Sequence, residues 1–380
     1  MKNIMFFDLN LVGIARYPLQ IAHMINTKED NITFYFLYEE DPSNQYAEIK
    51  QLLPSNSKLI KIKNVDYKYI KDLMQKINPH SLLVMAQRIP DNALIAIAHE
   101  LKISTFKFQH GLYIPFMKKD LKIILYKITK LLRYFQYAIV VAKATKKSKL
   151  LILKEYISIF LRGKNICSTK LPLPLINAHT AFVYGQYWKE YHLNEFGYAY
   201  NQQIIVGYPD LMQLNEIQKE EQEDAICYIC QTLVEDDRLP REEMLKFIHL
   251  LKNSIGKQTL YLKLHPRSDL SLYKVFENST NIKMVKKFPN CKKYIGHYSS
   301  VLALSMYLTE RIFLWKFNNH NEYPFYLVEN AEILSDSEKE LKIFLEDEKI
   351  QITQQHDIQN YFYYDGIDPI LKISKELLNE

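Results

Sequence analysis

Glycine is scarce in this sequence, nine residues in 380, and no GxGxxG occurs among them. A dinucleotide fingerprint needs glycines in its tight turn and beneath the pyrophosphate, so a dehydrogenase is disfavoured. Cysteine is scarcer still. Cys167, Cys227, Cys230 and Cys291 are too few in so long a chain for a disulfide framework. Cys227 and Cys230 have CxxC spacing, but they lie in or beside an expected strand. No second Cys/His pair stands at zinc-ligand spacing, so no metal is expected. No DxD-type carboxylate pair appears at an expected strand end, which favours chemistry without a metal ion. No cofactor is called for. No apolar run is long enough to span a bilayer. The opening MKNIMFFDLN carries Asp8 in its short apolar stretch and no small-residue cleavage site. It reads as a first β-strand and not as a signal peptide, and the expected location is the cytoplasm.

What is present is ordinary globular material, with 48% hydrophobic and 24% charged residues. A chain of 380 residues is too long for one ordinary core and comfortable for two domains. The net charge of +6 is spread unevenly. Between Met117 and Lys164 thirteen Lys/Arg face two acids, Asp120 and Glu155, whereas Glu216 to Asp224 is strongly acidic. No DNA- or RNA-binding motif accompanies the basic stretch, so nucleic acid is not an expected partner.

Short apolar runs alternate with amphipathic ones along the first half. Asn3 to Phe7, Ile32 to Leu37, Lys58 to Ile62, Leu82 to Met85 and Thr105 to Phe108 read as strands. Ala15 to Met24, Tyr69 to Ile77 and Asn92 to Leu101 read as helices. After long basic helices over about 117–164 the alternation resumes. Strands are expected at Thr180 to Val183, Ile204 to Val206, Ala225 to Ile229, Thr259 to Leu264, Lys293 to Ile295 and Ile312 to Trp315. The pattern predicts α/β architecture with parallel, doubly wound sheets. Pro172 and Pro174 place the expected boundary between an N-terminal domain, 1–175, and a C-terminal domain, 176–380.

In such sheets ligands bind at the strands' carboxyl ends. YLKLHPRSD, residues 261 to 269, delivers His265, Pro266 and Arg267 to one such end. A His donor and an Arg fork suit a phosphate, and the proline restricts the turn. In YIGHYSSVLALSMYL, residues 294 to 308, a strand runs into Ser299 and Ser300 ahead of a helical apolar run. Serines there are good caps, and amides at a helix start bind anions. Gln231 and Thr232, after the strand at 225–229, are secondary candidates for the base or ribose. Glu235-Asp236-Asp237 reads as a solvated loop.

His-Pro after a strand, followed about thirty residues later by Ser-Ser opening a helix, resembles bacterial GT-B sialyltransferases and polysialyltransferases. The resemblance implies a GT-B fold, two Rossmann-like domains facing each other across a cleft. It makes 1–175 the acceptor domain, with the basic helices inserted, and 176–380 the nucleotide-sugar donor domain. It also implies that His265, Ser299 and Ser300 contact the phosphate of a CMP-sugar. Those families carry an acidic pair before glycine as the source of the general base. This chain has Phe108-Gln109-His110-Gly111 there, a His-Gly element similar to that of bacterial CDP-glycerol-type polymerases. An imidazole takes a proton near neutral pH, so His110 is the candidate base, with Asp8 or Glu40 in reserve.

The expectation is therefore an inverting, metal-independent transferase moving a nonulosonic acid of sialic, pseudaminic or legionaminic type. The donor is a CMP-sugar, a substrate and not a cofactor, and the acceptor is a glycan of the bacterial surface such as capsule or lipooligosaccharide. CMP-Kdo or CDP-glycerol transfer and a catalytically silent glycan-binding subunit are the alternatives. The basic segment fits either an anionic membrane surface, for a peripheral enzyme acting on lipid-linked glycans, or a helical hairpin with a solvated basic face.

Overall fold

The computed structural model describes all residues except 1, 30, 42–43, 110, 112–120, 162–166, 171–173, 236–237, 266, 318–322, 324, 347–357 and 380; side chains are not described for 121–132, 160–161, 325–326 and 379. The chain forms two compact units, residues 1–110, 119–209 and 359–380 in the first and 111–118 with 210–358 in the second.

In the first unit seven strands pair in parallel: β1 (Lys2–Phe7), β2 (Ile32–Tyr38), β3 (Ser57–Lys61), β4 (Ser81–Val84), β5 (Ser104–Phe108), β6 (Thr180–Val183) and β7 (Gln203–Ile205), in the order β3-β2-β1-β4-β5-β6-β7. Helices α1 (Leu11–Asn26), α2 (Tyr46–Leu52), α3 (Tyr67–Ile77), α4 (Ile89–Glu100), α5 (Leu121–Ala144), α6 (Lys149–Leu161) and α7 (Gln186–Phe196) connect them. All four residues of β4, Ser81 to Val84, are buried, as a parallel strand covered on both faces requires. Asp66 opens α3 by accepting the Lys68 and Tyr69 N–H groups, and Asn78 closes it in the left-handed region.

The second unit contains α8 (Leu214–Ile217), β8 (Glu223–Ile229), α9 (Arg241–Ser254), β9 (Thr259–Lys263), β10 (Ile282–Val285), β11 (Cys291–Gly296), α10 (Leu302–Met306), β12 (Ile312–Trp315), α11 (Phe325–Val328), β13 (Ile333–Ser335) and α12 (Glu338–Glu346). Its six strands are parallel in the order β10-β9-β8-β11-β12-β13. The chain ends in α13 (Ile358–Tyr361) and α14 (Pro369–Asn379). α14 packs on α1, and Lys2 Nζ donates to the Leu378 carbonyl at 3.0 Å. A Cβ at Gly185 would stand 2.5 Å from the Asn360 carbonyl oxygen, and one at Gly207 would stand 2.6 Å from that of Tyr363. Only glycine lets this last segment lie so close to the first unit's backbone.

One expectation changes here. The boundary predicted near 175 lies at Pro209/Asp210, because β6 and β7 continue the first sheet and residues 359–380 return to it. Pro174 lies between α6 and β6 of one unit, and Pro172 lies outside the described residues. The basic segment packs on its own unit: α5 packs on α4, and Tyr134, Tyr137, Val140 and Val141 of α5 lie in the core with Ile152, Tyr156 and Ile159 of α6.

Strand β5 is apolar on one face and polar on the other, yet both are buried: Thr105, Lys107 and Gln109 have no exposed area. Lys107 Nζ lies 3.4 Å from His192 Nε2 and 4.2 Å from the Phe196 ring centre. Burial drives the Lys107 ammonium well below its usual range, against the pull of Asp91. Burial, then the Lys107 charge, does the same to His192. A lysine whose folded ammonium titrates below its unfolded value near 10.5 makes stability rise with pH across the window between the two. We therefore expect urea denaturation of the wild type to gain up to about 1.4 kcal/mol per pH unit from this residue within that window, as pH rises towards 10. Lys107→Met should flatten that slope, and an unchanged slope would show that Lys107 stays charged.

Candidate functional site

The second sheet reverses its order between β8 and β11, and in open sheets of this kind ligands bind outside the carboxyl ends of the strands at such a switch point. Gln231 and Thr232 follow β8, His265 and Arg267 follow β9, and Ser299 and Ser300 follow β11. Side chains tie these loops together. The Tyr298 N–H donates to Gln231 Oε1 at 3.1 Å, and Arg267 donates to Thr232 Oγ1 at 3.2 Å. Gln231 thus joins the β8 and β11 loops, and Thr232 joins β8 to β9.

His265 and Ser268 are bonded to each other twice, the Ser268 N–H donating to the His265 carbonyl at 3.0 Å and the His265 N–H to Ser268 Oγ at 3.1 Å. The Arg267 N–H donates to His265 Nδ1 at 3.1 Å. Nδ1 is therefore the acceptor, and a neutral His265 carries its proton on Nε2. His265 and Arg267 are both exposed. Pro266 lies outside the described residues.

The loop is braced from two sides. The Asp269 N–H donates to Glu235 Oε1 at 2.6 Å, and Arg241 binds the Asp269 carboxylate at 2.7 Å. The Ser271 hydroxyl, then Arg241, holds the Asp269 carboxyl down at about 2. Glu235, expected in a solvated loop, is instead half-buried and fastens the loop after β9; residues 236–237 lie outside the described residues.

Ser299 also differs from expectation. Its hydroxyl accepts the Val301 N–H at 3.3 Å, inside a turn in which the Leu302 and Ala303 N–H groups reach the Ser299 and Ser300 carbonyls. Helix α10 then has five residues, not the long run the apolar stretch predicts, and no side chain caps it.

His297 carries no signal in the sequence beyond following a strand. It is fully buried, with Nδ1 2.9 Å from the Trp315 carbonyl oxygen and Nε2 3.0 Å from the Tyr228 hydroxyl. The carbonyl only accepts, so Nδ1 donates and Nε2 receives the tyrosine proton. His297 thereby links β8, β11 and β12 directly beneath the Tyr298–Ser300 loop. Cys227 and Cys230 are buried free thiols, and burial pushes the Cys230 thiol up to about 12. Among the described residues no group of three or more His, Cys, Asp or Glu is placed to hold a metal ion.

The first sheet reverses its order between β1 and β4, and there sits an ionic cluster. Arg88, after β4, binds Asp91 through Nε at 2.7 Å and NH2 at 3.1 Å, and Asp8, after β1, through NH2 at 3.3 Å. Burial opposes the Arg88 charge, but Asp91 and Asp8 more than offset this and hold it protonated. A Cβ at Gly13 would stand 2.4 Å from Asp8 Oδ2, so glycine leaves room for that carboxylate. Arg133 joins Glu39 and Glu40, the reserve candidate, and the Tyr137 hydroxyl donates to Glu39 at 2.8 Å. Asp8 and Glu40 are both paired with arginine. His110 lies outside the described residues. Its neighbour Gln109 is buried, donating its N–H to the Phe182 carbonyl at 3.1 Å and accepting the Tyr184 N–H at 3.3 Å. Gly111 takes φ 70°, in the left-handed region that glycine favours.

No protein-family model matches the chain, and no curated protein matches it. Solved structures do. The UDP-GlcNAc 2-epimerase of Methanocaldococcus jannaschii, in complex with UDP-GlcNAc and UDP, is similar over all of both chains at TM-score 0.53 and 15% identity. That of Neisseria meningitidis, bound to UDP-GlcNAc, is similar over all of both chains at TM-score 0.53 and 10% identity. The UDP co-structure of S. aureus MnaA matches all of this chain and 98% of its own at TM-score 0.53 and 10% identity. At such identities the likeness is one of fold. With its two parallel, helix-covered sheets, the chain has the two-domain Rossmann-like architecture of GT-B.

Proposed function

We propose that this chain is a sugar-nucleotide-dependent, inverting glycosyltransferase that moves a nonulosonic acid from a CMP-sugar to a glycan hydroxyl, without a metal ion. The observation that supports it is the meeting of three loops at the second sheet's switch point. Gln231, Thr232, Arg267 and the Tyr298–Ser300 turn are bonded into one edge there. In this reading His265, donating from Nε2, Arg267 and the Ser299–Ser300 loop bind the phosphate. Gln231 and Thr232 stand towards ribose or base. His110 takes the proton of the acceptor hydroxyl, whose oxygen attacks the anomeric carbon. The bond from that carbon to the phosphate oxygen breaks, and CMP leaves with the electron pair. The acceptor is a lipid-linked surface glycan, reached from the inner face of a membrane.

Calorimetry with CMP, CDP, UMP and UDP tests the donor. A cytidine nucleotide should rank first, and His265→Ala should weaken its binding by about 1.5–3 kcal/mol, the range for a hydrogen bond to a charged group. Mass spectrometry should then find released CMP after incubation with a CMP-sugar. Preference for uridine would overturn the donor assignment. It would favour a second reading, chemistry on a UDP-sugar, which rests on the whole-length likeness to epimerases solved with UDP-GlcNAc. Nucleotide binding with no released CMP from CMP-nonulosonate, CMP-Kdo or CDP-glycerol would favour the silent glycan-binding subunit.

A further inference from the structure

Helix α6 is amphipathic in an unusual sense, with apolar residues on both faces. Ile152, Tyr156 and Ile159 lie in the core, and the Tyr156 ring meets Phe135 of α5 edge-on at 6.4 Å. On the other side Leu150 is 82% exposed, and Leu151 and Ile157 are 50% exposed. Among the described residues no other stretch of eight holds three exposed large hydrophobic side chains. Leu150, Lys154 and Ile157 fall on one stripe at helical spacing. Lys146 and Lys147 in the turn from α5, and Lys149 and Lys154 in α6, are all exposed. The acids nearest this group are the half-buried Glu155, which interacts with Lys147, and Glu100, which interacts with Lys146.

A solvated basic face would carry lysines without leucines, and an acidic protein partner would not need a lysine ringed by three aliphatic side chains. Leucine and isoleucine between lysines match the boundary between acyl chains and anionic headgroups, the former inserting while the latter pair with ammonium groups. We infer that the α5–α6 turn and the outer face of α6, Lys146 to Ile157, are an insertion site for an anionic lipid surface. The buried half of α5 belongs to the core, so this patch is much smaller than the basic segment as a whole. The inference deepens the proposed work on lipid-linked glycans, and its test contains neither nucleotide nor acceptor, so the two fail separately.

The test is co-sedimentation of the full chain with vesicles of phosphatidylcholine alone and with added phosphatidylglycerol. Partitioning should be about tenfold or more stronger on the acidic vesicles and should weaken as salt shortens the screening length. Leu150→Glu and the double change Lys147→Glu/Lys149→Glu should each lose most of it, while circular dichroism and thermal unfolding stay unchanged at these exposed positions. Leu150→Cys carrying a polarity-sensitive dye should brighten and shift to the blue on acidic vesicles and stay unchanged with soluble glycerol phosphate. The four native thiols are buried and spare the label. Binding that survives Leu150→Glu, equal binding to neutral vesicles, no binding at all, or a dye response to the soluble headgroup would each overturn the inference.

Discussion

His110→Ala is expected to lower the rate of sugar transfer by about 10²–10⁴-fold, the usual contribution of a general base, while leaving CMP affinity nearly intact. The separation follows from position in the chain. His110 ends the stretch of the first unit that contains β5, whereas the loops proposed to bind the nucleotide follow β8, β9 and β11 of the second. The strand end is held firmly, since Gln109 is fixed by β6 on one side and Gly111 turns the backbone on the other. The wild-type rate should rise with pH through one ionisation in the neutral range, and that ionisation should vanish in the mutant. His110→Asn keeps a polar side chain but takes no proton, so it should be as inactive as alanine. Near-normal turnover in His110→Asn would make the Gln-His-Gly element structural. The ion pairs found here mean that neither Asp8 nor Glu40 is then an easy substitute: each would first have to give up an arginine. Loss of CMP affinity together with activity would move His110 to the donor site or the fold.

Much of the fold is legible because buried parallel strands are short apolar runs. Ile312 to Trp315 and Thr180 to Val183 match the structure's bounds, and β1, β2, β8 and β9 differ by one or two residues. The strands without a signal are β10 and β13. They are the two edge strands of the second sheet, four and three residues long and only partly buried, and Ile282–Val285 carries one lysine, Lys283, among its apolar side chains. Such strands form because neighbours offer hydrogen bonds, which no local pattern announces. The domain boundary was misplaced for a related reason: a helix pair of about forty residues between β5 and β6 hides that the two strands are neighbours. At the site, the residue types after β8, β9 and β11 stood out, because strand ends in such sheets are where ligands bind. Their mutual hydrogen bonds did not, since Gln231 and Tyr298 are 67 residues apart. His297, Glu235 and Arg88 left only faint marks: a histidine after a strand, an acid in a loop, and an arginine before Ile-Pro-Asp.

Arg88 carries the largest expected effect on stability. It stands between Asp8 and Asp91, whose side chains are 5% and 0% exposed, while its own is 19% exposed. Removing one partner from such a cluster leaves charge buried without compensation, and the usual cost is about 3–5 kcal/mol. Arg88→Ala should therefore lose about that much in urea denaturation at neutral pH. Arg88→Lys, which keeps the charge but not the two-pronged contact to Asp91, should fall between the two. A second change gives the sharper check. Asp91→Asn added to Arg88→Ala should recover part of the loss, because it removes one of the stranded charges while keeping an acceptor for the Arg88 position's N–H, now bonded at 2.9 Å. A deficit below about 1 kcal/mol, within the range of exposed pairs, would mean that water reaches the switch point of the first sheet and solvates both carboxylates.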